Sequence, residues 1–381
     1  MEPLFEQGPI RPPSEAASLL IRATRNCPWN RCAFCPVYKG TKFEIRPVEE
    51  VEADIDAVAS IVEAVRETSR CLSHEGRVDS AVIESIFRDP TTSDQTRSVA
   101  AWLYNGARTV FLQDANSLVM KTADLVRILT KLKETFPHID RITSYARSKT
   151  VAKKSLEELR DLAAAGLTRI HIGLESAFDP LLEFMKKGTT AADHVEAGRK
   201  VMASGISLSE YVILGLGGKR WWREHATATA MALNEINPGY IRVRTLAVPP
   251  GTALHDRIEA GEFEILSEEQ VIVEERLLVE SLNGIRSRFV SDHVLNLLEE
   301  AQGRFPEDKE RLLAVIDRFL ALPSAERLNF RLGRRMGAYR ALDDLEDPLR
   351  HAQVEEAIEQ ISQNSPEGIG ETINALLQRF I

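Results

Sequence analysis

Three of the four cysteines fall in one short stretch, Arg25-Asn26-Cys27-Pro28-Trp29-Asn30-Arg31-Cys32-Ala33-Phe34-Cys35-Pro36. Four residues separate Cys27 from Cys32, and two separate Cys32 from Cys35. Three thiolates on one loop suit a [4Fe–4S] cube in which three irons take protein ligands and the fourth stays open to a small molecule. A structural zinc site is the alternative, with Cys71 or His74 as the fourth ligand.

The elements around the loop read as a strand–loop–helix unit. Leu19–Thr24 is an apolar run that ends at the loop, and 47–68 places Val48, Val51, Ile55, Val58, Ile61, Val62 and Val65 at helical spacing. The unit recurs. Strands are expected at 109–112, 140–144, 169–174, 208–216 and 240–248, with helices between them. Alternation of this kind implies a parallel sheet with right-handed crossovers. The expected fold is α/β, an open parallel (β/α)6 partial TIM barrel with its site at the strand C-termini, followed by an α-helical extension. The expected organisation is an arm over 1–18, the barrel over 19–260 with an insertion at about 67–105, and a helical region over 261–381. Within that last region, helices are expected at 267–282, 292–301, 309–320 and 354–361.

The loop resembles the signature of the radical S-adenosylmethionine (radical SAM) superfamily in a CX4CX2C variant, where the usual first gap is three residues. The strand pattern is similar to the branch that includes oxygen-independent coproporphyrinogen dehydrogenase and the methylthiotransferase cores. The resemblance implies a [4Fe–4S] cluster on Cys27, Cys32 and Cys35, SAM on the open iron, and Phe34 packed on its adenine. It places Gln113 and Asp114 at the SAM amino group, and Asp114 alone also suits a helix cap. It places Ser144, Tyr145 and Arg147 after the third strand, with Arg147 toward the SAM carboxylate. Tyr145 stands where relatives often carry glutamate. Glu175 maps to the methionine or ribose contact, Lys187 to the carboxylate, and Ile213 to the adenine.

Arg242 and Arg244 alternate along the sixth strand and so share a face. If that face lines the barrel interior, they favour a carboxylate- or phosphate-bearing substrate; otherwise they pair with helix acids. Trp221 and Trp222 suit either a substrate cover or a loop anchor. Ser291–His293 reads as a helix start, Arg331–Arg340 as a solvated helix face, and Cys71 as a buried inert thiol.

The resemblance implies an enzyme in which an electron from a low-potential donor of flavodoxin or ferredoxin type cleaves SAM to methionine and a 5′-deoxyadenosyl radical. A 3-amino-3-carboxypropyl radical and a zinc-stabilised binding protein are the rival readings. One cysteine outside the loop leaves no set for an auxiliary cluster. The net charge of −9 argues against a broad nucleic-acid surface, and the expected partner is a small-molecule substrate. The polar, proline-rich start and the absence of a long apolar run predict no signal peptide, no membrane span and a cytoplasmic setting.

Overall fold

Short apolar runs between amphipathic stretches become strands between helices. The computed structural model describes residues 4–364 and 368–378. They form two compact units: 1–30 with 37–172 and 196–208, and 31–36 with 173–195 and 209–381. The fold is α/β, with a mostly parallel sheet that does not close on itself.

In the first unit, β1 (Leu19–Arg22) leads to β2 (Thr24–Arg25), which pairs antiparallel with β3 (Glu44–Ile45). That two-residue ribbon closes the base of the cysteine-bearing excursion. Helix α1 (Val48–Cys71) buries Val51, Ile55, Val58, Val62 and Val65 along one stripe. Each such side chain contributes about 1.5–3 kcal/mol when removed from water. Helices α2 (Ser80–Arg88) and α3 (Asp94–Tyr104) fill the expected insertion, capped by Asp79 and Ser93. Then come β4 (Thr109–Gln113), α4 (Thr122–Thr135), β5 (Arg141–Ala146), α5 (Ser148–Lys153), α6 (Leu156–Ala164) and β6 (Leu167–Glu175). The parallel order is β1-β4-β5-β6, with Leu112 opposite Ser144 and Tyr145 opposite His171. The arm expected as irregular is coil ending in a 3₁₀ turn, and Glu15 on that turn is fully buried. Glu15 accepts from Ser18 Oγ at 2.6 Å and Thr143 Oγ1 at 3.2 Å, so its charge is hydrogen-bonded at the N-terminal end of the strands.

The chain continues through α7 (Asp179–Phe184), α8 (Ala191–Ala203), β7 (Ser207–Leu214), α9 (Gly218–Ile236), β8 (Tyr240–Thr245), α10 (Ala253–Glu259) and α11 (Glu268–Ser281). Strands do not stop near Gly261. A third parallel strand of the second unit, β9 (Arg288–Val290), pairs with β8, and β10 (Gly303–Arg304) pairs antiparallel with β9. Residues 292–301 are turns, not a helix, so Ser291 and Asp292 cap nothing. Helices α12 (Lys309–Ala321), α13 (Ser324–Met336), α14 (Pro348–Asn364) and α15 (Gly368–Gln378) complete the described chain. The basic face of α13 is not simply solvated. Arg335 is buried against Glu268 at 2.6 Å, and Arg331 and Arg327 pair with Glu268 and Glu269. Cys71 is exposed, not buried.

Candidate functional site

The cysteine excursion is held from the end of β4. Asp114 is fully buried, and its Oδ2 accepts from Arg22 Nη2 at 2.5 Å, Arg22 Nε at 2.8 Å and the Asn26 amide at 3.0 Å. Its Oδ1 accepts from the Tyr38 hydroxyl at 2.9 Å, and burial beside that carboxylate holds the phenol well above its ordinary range. Asn26 precedes Cys27 and Tyr38 follows Pro36, so one carboxylate ties down both flanks of the loop. Gly8 covers it from the arm; a Cβ there would lie 2.4 Å from Oδ1. Asn30 adopts the left-handed conformation that asparagine tolerates, and its amide donates to Cys27 Sγ at 3.4 Å. The Asn30 side chain donates to the Tyr38 carbonyl.

In the second unit, Cys32-Ala33-Phe34-Cys35 is fixed through Ala33. Its amide donates to the Met185 carbonyl at 2.9 Å, and its carbonyl accepts from the Leu254 amide at 3.0 Å. The Ala33 methyl is fully buried with Leu181, Met185, Leu216 and Leu254. Phe34 and Ile213 are half-buried against this same cluster. Lys187 Nζ lies 5.9 Å from the Phe34 ring centroid and donates to Glu175 Oε1 at 3.0 Å. Glu175 has φ +63°, which folds its carboxylate back over β6. A Cβ on Gly173 would sit 2.2 Å from Glu175 Oε1 and 3.1 Å from Lys187 Nζ, so only glycine leaves this room. Phe34, Glu175, Lys187 and Ile213 therefore come together beside Cys32 and Cys35.

The other anticipated SAM contacts do not all gather. Asp114 accepts four hydrogen bonds from the protein, which fills a carboxylate's acceptor capacity. These bonds brace the loop. Gln113 is likewise engaged: its Oε1 accepts from Gly8 N at 2.8 Å and its Nε2 donates to Ile10 O at 2.6 Å, anchoring the arm. Ser144 donates to the neighbouring Tyr145 carbonyl, and the Tyr145 ring packs edge-on to Phe111 at 5.0 Å. The Arg147 guanidinium lies 4.9 Å over the Trp29 ring. Arg242 is paired with Asp292 at 2.7 Å, which removes it from the expected substrate pair. Arg244, opposite Ile213 in the register, lies 4.7 Å over the Tyr211 ring and has no ion-pair partner among the described residues. Burial and the Arg244 charge push His293 down to about 4, so it stays neutral beside that cation. Trp221 packs against Phe184 at 5.4 Å and anchors its loop.

One polar group beneath the site has no signal in the sequence. His225 is fully buried, with Nδ1 2.9 Å from Ser176 Oγ and Nε2 3.0 Å from the Ile213 carbonyl. Only a protonated Nε2 can face a carbonyl, so Nδ1 accepts from Ser176 and the ring is neutral; burial pushes its pKa to about 4. Glu274 accepts from the Gly215 amide at 2.6 Å, and burial pushes it up to about 8. Together they hold the turn after Ile213.

The residues present fit a [4Fe–4S] cluster and SAM. Cys27, Cys32 and Cys35 are half-buried thiols. Phe34, which lies between Cys32 and Cys35, brings an aromatic face within 5.9 Å of the Lys187 ammonium of the Glu175–Lys187 pair.

Residues 87–228 match the radical SAM superfamily model, a span that begins after the cysteine loop and includes Gln113 through Ile213. The chain is 21% identical over 284 residues to a tRNA uridine(34) acetyltransferase of Methanocaldococcus jannaschii, covering 71% of this chain and 50% of that protein. It is 32% identical over 103 residues to an uncharacterised protein of the same organism, covering 27% of this chain and 31% of the other. The solved coproporphyrinogen III oxidase HemN from Escherichia coli aligns with a TM-score of 0.45 at 16% identity, over 69% of this chain and 52% of that one. The chain thus spans about half the length of the tRNA uridine(34) acetyltransferase it matches. The superfamily match agrees with the cysteine loop and with the glycine–glutamate turn of β6, and residues 87–228 carry a radical SAM domain, the domain of enzymes that use a [4Fe–4S] cluster and S-adenosylmethionine.

Proposed function

We propose that this chain holds the cluster on Cys27, Cys32 and Cys35 and cleaves SAM reductively to a 5′-deoxyadenosyl radical that acts on an anionic small-molecule substrate. The observation that carries the reading is the convergence of Phe34, Glu175, Lys187 and Ile213 on the segment that bears Cys32 and Cys35. The cluster and SAM supply the radical chemistry when bound. The protein's part is to position and to shield. Phe34 and Ile213 offer apolar faces to an adenine; Lys187 offers its ammonium to a carboxylate, and Glu175 its carboxylate to hydroxyl or ammonium donors. Displacing the Glu175–Lys187 bond for paired contacts with a zwitterion keeps both charges compensated in a half-buried place.

Arg244 supports the anionic substrate. A half-buried guanidinium without a carboxylate partner leaves positive charge uncompensated, and the neutral His293 beside it adds none. The acetyltransferases that the chain resembles in part act on tRNA by name, which makes an RNA phosphate the rival occupant of Arg244.

Anaerobic reconstitution tests the reading. Expected are iron and sulfide for one [4Fe–4S] cluster, an EPR signal of the reduced protein that changes on adding SAM, and 5′-deoxyadenosine as product under dithionite. Stoichiometric zinc with no SAM-sensitive signal overturns it, and methylthioadenosine as the product assigns the 3-amino-3-carboxypropyl reaction instead.

A further inference from the structure

The first unit carries a concavity of about 500 Å³ against the cysteine loop, and its charge is opposite to that of the chain. Trp29, two residues after Cys27, forms one wall; Arg147, Lys149, Lys153 and Lys154 bring four cations against the single carboxylate of Glu158. These groups differ in what they are free to do. Lys154 is buried, bonded to Thr122 Oγ1 at 2.9 Å and near Glu158 at 3.7 Å, so it is structural. Arg147 covers the face of Trp29. Lys149 and Lys153 are exposed and make no hydrogen bond or ion pair among the described residues. Lys39, whose Nζ donates to the Asn30 carbonyl at 3.0 Å, adds a further exposed cation to the same loop.

We propose that this face, centred on Trp29, Lys149 and Lys153, is the docking surface for a small acidic electron-transfer protein that reduces the cluster. The inference rests on the radical SAM reading and adds the place where the electron enters. The step transfers one electron and no atoms: the reduced cofactor of the donor is oxidised by one electron, and the cluster held by the three cysteines is reduced by one. Two observations favour this occupant. On a chain of net charge −9, a local positive patch attracts an acidic protein and orients it against the net repulsion of the chain. The patch is also small, as electron-transfer encounters are, and lies on the loop of a cluster ligand. A nucleic-acid strand fits less well, because the Trp29 face that would stack on a base is covered by Arg147.

The test uses the full-length reconstituted protein and the double variant K149E/K153E. Purified flavodoxin and a purified acidic ferredoxin are titrated separately by calorimetry, at low and at moderate salt. At least one is expected to bind the wild type, about tenfold or more weakly after charge reversal, with a similar loss on adding salt. Dithionite-driven 5′-deoxyadenosine formation is expected to be the same in both proteins, which shows that the variant is folded and loaded. Binding of neither protein, binding indifferent to K149E/K153E, or tighter capture of an RNA oligonucleotide at the same lysines overturns the docking surface. Failure of the wild type to cleave SAM with dithionite overturns the radical SAM reading instead, whatever the binding data show.

Discussion

The buried Asp114 carboxylate accepts the Asn26 amide at 3.0 Å, and this bond couples the end of a sheet strand to the residue before Cys27. A loop that must present three thiolates to one metal group has many conformations to lose, and each fixed residue costs about 1–2 kcal/mol of entropy. Asp114, Tyr38 and Asn30 offset part of that cost with hydrogen bonds within the protein.

Asp114→Ala separates a brace from a SAM contact. The change takes from Arg22 one of its two carboxylate partners and leaves Glu6 at 2.8 Å, so the loss is expected to fall below the ~3–5 kcal/mol of a fully broken buried pair. Asp114→Asn keeps the shape and removes the charge. Both variants are expected to show a lower melting temperature before reconstitution and less iron per chain after it. Full iron content with selective loss of SAM binding would instead return Asp114 to the ligand.

Gly173→Ala tests the opposite kind of residue. The added methyl would meet Glu175 Oε1 at 2.2 Å, so the carboxylate must leave its place beside Lys187. Iron content is expected to stay near wild type while SAM affinity, read by the EPR change, falls about tenfold or more, the equivalent of one or two charge-assisted hydrogen bonds. Lys187→Met is expected to give a loss of the same order without the steric change.

The strand–helix alternation was legible because apolar runs and three-to-four spacing survive in the fold wherever one face is buried, as in Val51–Val65 of α1. It failed at 292–301, where Val294, Leu295, Leu297 and Leu298 have helical spacing. There Asn296 donates to the Val243 carbonyl at 2.9 Å and accepts from the Thr245 amide at 2.8 Å, so the segment serves β8 and forms no helix. Glu175, Lys187 and Phe34 were legible because their motifs are local. The engagement of Gln113 by the arm was not, since its partners Gly8 and Ile10 lie about a hundred residues away and carry no side-chain signal. Arg242 and Arg244 look alike in sequence; Asp292, on a later turn, distinguishes them.

Stability should depend on pH through buried groups of the second unit, with Glu210, Glu274 and Glu275 held above the usual carboxyl range and His225 and His293 held below the usual imidazole range. Burial raises Glu274 and Glu275 to about 8 and lowers His225 to about 4. The raised carboxyls contribute stability that is complete below their unfolded range and is lost as pH rises through about 8. The lowered histidines contribute stability present above their unfolded value of about 6.5 and lost as pH falls through about 4. The two effects oppose each other between about 4.5 and 6.5, and above that only the carboxyl loss remains. Denaturant midpoints are therefore expected to fall most steeply between about pH 6.5 and 8. Glu275 Oε1 has no partner, so Glu275→Gln should flatten this limb with little change at pH 6. A midpoint that rises between pH 6.5 and 8 in the wild type would contradict the buried, neutral state of both carboxyls.

Arg244 and Arg242 make the sharpest pair of variants, because they share a strand and differ in pairing. Arg242→Met removes a guanidinium that Asp292, itself more than a third exposed, can replace with water, so a small loss of stability is expected. Arg244→Met removes the cation without an internal partner, and no buried carboxylate is left behind. It should fold as wild type and cleave SAM under dithionite at the wild-type rate. Its defect is expected in coupling: deuterium transfer from a substrate candidate to 5′-deoxyadenosine should fall about tenfold or more, the loss of one charge-assisted contact. Arg244→Lys keeps the charge but not the planar fork, and should recover part of the affinity for a phosphate and less of it for a carboxylate held at two points. If Arg244→Met instead abolishes SAM cleavage without any substrate, the guanidinium belongs to SAM, and the anionic group it recognises is the methionine carboxylate.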